Sequence, residues 1–239
     1  MSMPESIVET PWDSRVFGIP TFEITSLSKE VLKEIKEIPG HYTIKVDPLS
    51  SKKPLHDHGF YFCDTLLEPY CLREKFVAYE DSAVRISRSA KLEDLIAIAH
   101  GAFAHGRFHR DFNVDRNLAD LRYDRWLQDL YDSGNVLGLL YNDKPAGFWG
   151  VSGNKMVLHA LSKPHRGTGL AKYLWTPVCE ELFNEGHQEI VSSISATNVA
   201  MLNTHTSLGF KFRKPLDIYH WFNKEPRPQD GVFRCDFIK

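Results

Sequence analysis

Residues 158–171 read LHALSKPHRGTGLA, an apolar run that breaks into a loop punctuated by Gly167 and Gly169. Directly downstream, Leu170, Tyr173, Leu174, Val178 and Leu182 recur at helical spacing. A strand, a glycine loop and a helix start in that order build a seat for an anion. The first-turn N–H groups of a helix lack intrahelical partners, and its dipole places partial positive charge among them. Glycine lets the main chain come close to the anion, because no Cβ stands in the way.

Working outward, three strand patterns precede the loop at 135–141, 145–151 and 155–161, with Asn142-Asp143-Lys144 and Gly153-Asn154 as the turns between them. An amphipathic helix is predicted over 91–104, a second helix over 117–131 and a strand over 83–87. After the loop the helix carries Pro177, which cannot donate to the residue four back and predicts a kink. The pattern then gives a strand at 189–195, a short helix at 198–208 and a final strand or pair at 210–222. The first third alternates short α/β elements: a strand at 21–25, a helix at 29–38, a strand at 41–46 and an apolar stretch at 61–67. A boundary near residue 83 divides a small α/β segment, 1–82, from a larger domain, 83–239.

Three ligands compete for the glycine loop. A nucleoside-triphosphate P-loop requires G-K-[ST], whereas this loop closes on Gly169-Leu170-Ala171. A dinucleotide fingerprint requires a third glycine where Lys172 stands, and the 70 residues after Gly169 are too few for the rest of a doubly wound sheet. The third ligand is acyl-coenzyme A. Arg166-Gly167-Thr168-Gly169-Leu170-Ala171 matches R/Q-x-x-G-x-G/A and resembles the pyrophosphate loop of the GNAT acyltransferases. A second block, from Asn198 to Gly209-Phe210, keeps that family's spacing, with His205 at its usual tyrosine position. The opening Trp12-Asp13-Ser14-Arg15-Val16-Phe17-Gly18 is similar to the W-D-S-x-F-F-G of the TDP-fucosamine N-acetyltransferase type.

The resemblance implies a GNAT fold: a mixed, mainly antiparallel central sheet flanked by helices, preceded by the small α/β segment. It implies acetyl-CoA as co-substrate, with its pyrophosphate on the amides of Arg166, Gly167, Thr168, Gly169, Leu170 and Ala171. The pantetheine arm would pair with the strand near Leu161 and Ser162 and with Asn198. His205, two helical turns or about 10.5 Å from Asn198 on one stripe, would be the general acid for the departing thiolate; histidine titrates near neutrality. The activity implied is transfer of an acetyl group to a primary amine of a small molecule, a nucleotide-linked amino sugar being the leading acceptor. The substitution at 205 keeps open a relative that only senses acyl-CoA.

Other polar groups read as structural first. His159 is a core histidine before it is a base; Ser193 and Ser195 could orient a water. No carboxylate lies in 190–196, so the base has no assignment from sequence. His105, Arg107, His109, Arg110 and Asp111 form a charged loop that could read an acidic acceptor. His56-Asp57-His58 lacks a third ligand, and no metal is expected.

A net charge of -2 supplies no basic field, which argues against nucleic acid as a partner. No apolar run reaches the ~20 residues of a membrane span. The first residues lack the basic-then-apolar layout of a signal peptide. Cys63, Cys71, Cys179 and Cys235 are scattered, as in a reducing compartment, so a cytoplasmic location is expected. A homodimer is allowed for.

Overall fold

The computed structural model describes residues 5–223; Cys235 lies outside them. The chain opens with β1 (Ile7–Glu9), α1 (Pro11–Phe17), β2 (Thr21–Ile24), α2 (Lys29–Glu37), β3 (Gly40–Val46), α3 (Lys53–His56) and β4 (Tyr61–Leu72). There follow β5 (Val84–Ser87), α4 (Leu92–Ala99), α5 (Arg107–Arg110), α6 (Arg116–Asp132), β6 (Val136–Tyr141), β7 (Lys144–Ser152) and β8 (Lys155–Leu161). The rest is α7 (Ala171–Asn184), β9 (Glu189–Ser192), β10 (Ile194–Ser195), α8 (Val199–Ser207) and β11 (Lys211–Asn223).

Local chemistry explains most boundaries. Ser28 caps α2 by accepting from the Val31 amide at 3.2 Å, and Asp115 caps α6 through the Asn117 amide at 2.8 Å. The β6–β7 hairpin turns on Asn142 and Asp143, both at positive φ, a position these residues tolerate. Three expectations shift. The helix predicted to reach residue 104 stops at Ala99, because Gly101 adopts a φ of +71°. The strand over 189–195 divides at Ser193 into β9 and β10. The segment 210–222 is one strand with an irregularity between Arg213 and Leu216.

The strands form one mixed sheet in the order β1-β2-β3-β11-β4-β9-β8-β7-β6-β5, with β10 pairing β4. Only β2–β3 and β8–β9 run parallel. This is the mixed, mainly antiparallel sheet flanked by helices that the sequence resemblance implies. The sheet crosses the boundary expected near residue 83. β11, last in the chain, inserts between β3 and β4, and β4 also pairs β9 and β10. Both edges of β4 are satisfied by strands from beyond residue 188, so the first 82 residues share their sheet with the rest. Two cores flank this join: Trp149, Trp175, Leu174 and Ile190 anchor one, Tyr42, Ile35, Ile24 and Leu55 the other.

A buried carboxylate fastens the join. Asp111, just past α5, accepts at Oδ2 from His220 Nδ1 (2.7 Å) on β11 and from His41 Nε2 (2.9 Å) on β3. The Tyr61 hydroxyl on β4 donates to its Oδ1 at 3.0 Å. Burial pushes the Asp111 carboxyl up, but the hydrogen bonds from His220 and His41 outweigh it and hold it below the usual range. Burial lowers His220 to about 3. Below its ordinary value near 6.5 an unfolded histidine takes up a proton that the folded ring refuses, so stability is full above that pH and drains away toward pH 3. His220 alone should remove about 2 kcal/mol at pH 5, read as a lower urea midpoint than at pH 7. Asp111→Asn, which breaks the clasp at its centre, should cost about 3 kcal/mol at pH 7 by the same measurement.

Candidate active site

β8 and β9 share only the register pairs Lys155–Val191 and Met156–Ser192 before they part. Beyond that point one edge of β8 has no strand beside it among the described residues. The Ser162 amide donates to Ala146 O on β7 at 2.8 Å. Because antiparallel pairing alternates between the two edges, the amides of Leu161 and His159 then face the gap. Leu161 therefore stands on the expected edge, although its carbonyl is taken by Arg166 Nε at 2.8 Å. Ser162 is a correction: its amide belongs to β7, and its hydroxyl lies 2.6 Å from His165 Nδ1.

The gap widens into a cleft of about 910 Å³, whose lining includes His159, Leu161, Arg166, Gly167, Gly169, Ala171 and Asn198. Gly167 and Gly169 sit at φ of +75° and +80°, a region that side chains resist, with open space where a Cβ would stand. The start of α7 has no side-chain cap. The amides of Gly167, Gly169, Ala171 and Lys172 have no partner among the described residues; Leu170 N–H reaches Thr168 Oγ1 only at 3.4 Å. Thr168 otherwise bonds His165 O at 2.9 Å and so closes the loop on itself. Unpaired amides at a helix mouth, fronted by two glycines, fit a diphosphate.

Asn198 caps α8, its side chain accepting from the Met201 amide at 3.2 Å, and it reaches the cleft. His205 does not reach it. The ring is fully buried, and Nδ1–H donates to Met201 O at 2.9 Å. Nε2 is buried without a partner. Burial lowers the ring to about 4, so it is neutral with a bare Nε2. A neutral ring with that tautomer has no proton to give a thiolate, which corrects the expected role. The tyrosine it replaces positionally is longer; an imidazole on the same turn ends inside the core against Phe210, at a ring separation of 4.8 Å. His159 lines the cleft beside it and is lowered to about 3 by burial and then by His205.

The cleft also holds a group the sequence reading passed over. Asp64, on β4, lines the cleft and is fully buried. Its Oδ1 accepts from Arg110 Nη1 and Ser195 Oγ, both at 2.7 Å, and from the Thr65 amide at 2.9 Å. Its Oδ2 is buried and has no partner. Burial raises its pKa against the lowering contacts of Ser195 and Arg110. The signal was present as a lone carboxylate inside the apolar run 61–67. Ser195, weighed as a water ligand, instead orients this carboxylate. Arg122, which also lines the cleft, donates through Nε to Asp13 Oδ1 at 2.8 Å, so the Trp12-Asp13 opening holds a cleft arginine in place. His56-Asp57-His58 is a surface turn, with Asp57 on Lys53 and His58 Nδ1 on Pro54 O.

Residues 103–210 match the model of the acetyltransferase (GNAT) family. A GCN5-related N-acetyltransferase from Sphaerobacter thermophilus superposes with a TM-score of 0.57 at 12% identity, over 84% of this chain and 66% of its own. A functionally unknown conserved protein from Staphylococcus epidermidis gives 0.62 at 11% identity over 94% of both chains. A tandem GNAT protein from the clavulanic acid biosynthesis pathway gives 0.55 at 12% identity, over 89% of this chain and 77% of its own. These likenesses are of fold. No curated protein matches the chain in sequence. GNAT acetyltransferases use acetyl-CoA, and the loop at 166–171 fits its diphosphate.

A Cβ added at Gly169 meets no atom within 4 Å, so the backbone cost of Gly169→Val is the strained φ, about 1–2 kcal/mol. The side chain would cover the unpaired amides. Acetyl-CoA affinity, measured by titration calorimetry, should fall about tenfold or more with loss of those bonds; an unchanged affinity would remove the loop from the binding site.

Proposed function

We propose that the protein is an N-acetyltransferase, moving the acetyl group of acetyl-CoA directly onto a primary amine of a small molecule. The observation that carries this reading is the unpartnered Oδ2 of Asp64, in the same cleft as the anion-binding loop. A molecule that only sensed acyl-CoA would have no use for a buried, raised carboxylate in its acceptor end.

Acetyl-CoA supplies the activated acyl group. The chain's own groups do the rest. Amides of the 166–171 loop hold the diphosphate, and the gap-facing Leu161 amide is a donor along the free edge of β8. One well-aimed donor to a developing oxyanion is worth roughly 3–4 kcal/mol. Arg110, Ser195 and the Thr65 amide fix Asp64 through Oδ1, which leaves Oδ2 to take the amine proton as nitrogen bonds to the acyl carbon. Coenzyme A thiolate is a modest base, so its proton comes from solvent and His205 has no part in the transfer. For the acceptor we take a nucleotide-linked amino sugar, supported by the Trp12–Gly18 resemblance and by the arginines at the acceptor end.

Release of free thiol, assayed over amino sugars, polyamines and peptides, tests this reading. Asp64→Asn should lower kcat by about a hundredfold or more while acetyl-CoA binding holds. An Asn variant that turns over normally would remove the base. His205→Phe should alter kcat by less than about threefold in the same assay, the effect expected away from the reacting atoms; a hundredfold loss would restore histidine to the chemistry.

A further inference from the structure

Two histidines and a carboxylate meet where β3, β11 and the connection after α5 join. In the register of β11 on β3, His41 stands opposite Phe222 and His220 opposite Thr43. Both histidines therefore lie on one face of neighbouring strands. Their rings are 4.6 Å apart and close to edge-on, at 75°. His41 Nε2, His220 Nδ1 and a carboxylate oxygen of Asp111 all lie within 4.8 Å of one another. At most 3% of any of the three side chains is exposed. Phe17 lies against His41 at 6.3 Å and Phe108 against His220 at 5.5 Å, so the surroundings are apolar. No lysine or arginine pairs Asp111 among the described residues; its ionic partners are the two imidazoles alone. Buried charges are paired or bound to metals.

The distances suit an ion. Zinc takes nitrogen and oxygen ligands at about 2.0–2.2 Å, which in a tetrahedron sets ligand atoms about 3.3 Å apart. His220 Nδ1 and His41 Nε2 stand 2.7 and 2.9 Å from Asp111 Oδ2. Opening each pair by about 0.5 Å would admit the ion. Each imidazole needs only its other tautomer to turn a lone pair inward. Asp111 Oδ1 is held by the Tyr61 hydroxyl at 3.0 Å and by the Asn113 amide at 2.8 Å, an outer shell that aims Oδ2 at the histidines. Tyr61 Oη is also 3.1 Å from Oδ2, which makes it the nearest fourth neighbour. Two imidazoles with one carboxylate select zinc over calcium or magnesium, which favour oxygen ligands throughout. Enclosure leaves no coordination position open to a substrate, as in structural sites.

We infer that this clasp is a structural zinc site, with His41 Nε2, His220 Nδ1 and Asp111 Oδ2 as ligands and the Tyr61 hydroxyl in the fourth position. The metal-free chain keeps the hydrogen-bonded form. Zinc replaces those bonds by coordination and ties β3 and β11 more firmly to the connection after α5. The ligands stand at 41, 111 and 220, a spacing that no local motif records, and the expectation of no metal rested on His56-Asp57-His58. Nothing in the triad depends on the acetyl-transfer reading.

The full chain, stripped with a chelator, is titrated with zinc sulfate in competition with a chelating dye, and with cobalt(II) as a spectroscopic stand-in. Wild-type protein should bind zinc, melt at a higher temperature with it and give the visible absorption of four-coordinate cobalt. His41→Gln keeps a side-chain N–H for Asp111 and removes the imidazole lone pair. Loss of an outer-shell partner costs about 10–100-fold in metal affinity, so loss of a ligand should cost about a hundredfold or more. The variant should melt near the metal-free wild type, and zinc should no longer raise that temperature. His220→Asn, which also keeps a donor, repeats the test should the first variant fail to fold. His58→Gln, on the surface turn, should bind zinc as wild type does. A wild-type melting temperature that zinc does not move would overturn the inference. So would undiminished affinity in the folded ligand variants, or binding lost in His58→Gln. Thiol release that falls on chelation while the melting temperature stays unchanged would contradict the structural role.

Discussion

The structure turns on a separation: β8 and β9 run side by side for two residue pairs and then part. A parallel strand that loses its neighbour leaves amides facing outward, and buried amides without partners are unfavourable. Here the exposed edge opens onto a cleft, with a helix mouth and two glycines at one end. The chain accepts an unfinished sheet because something extended can complete it. An acyl-coenzyme A has the right chemistry, with an anion at one end and amide groups along its arm.

The first 72 residues serve this cleft. β4 pairs β10 and carries Asp64 into the cleft. α1 packs through Phe17 against Phe108 at 5.2 Å and brings Asp13 onto Arg122. The clasp of Asp111 with His41, His220 and Tyr61 ties those strands to the helices that wall the same space. The small segment that the sequence set apart is part of one continuous sheet. Its energetic weakness is acid, because the rings at 205 and 220 are buried and neutral.

The glycine loop, the helix behind it and the short helix capped by Asn198 were legible because their signals are local: spacing, glycine and cap chemistry. The hairpin at Asn142-Asp143 was legible for the same reason. Asp64 was not, since its role arises from pairing across 131 residues with Ser195. The Ser162 amide was misplaced by one position, and in a strand one position exchanges one edge for the other. His205 looked active from its place on a helical stripe; the depth at which that stripe is buried depends on Phe210 and Met201, and no periodicity reports it. The boundary near residue 83 dissolved because the final strand inserts between two early ones, a topology that composition does not record.

The central claim is that the gap beside β8 and the mouth of α7 together receive coenzyme A. Amide hydrogen exchange, followed residue by residue with and without coenzyme A, tests it most directly. The account predicts new protection at His159, Leu161, Gly167, Gly169 and Ala171, with the Ser162 amide already slow in the free protein. Protection elsewhere, with those five amides unchanged at saturating coenzyme A, would contradict it.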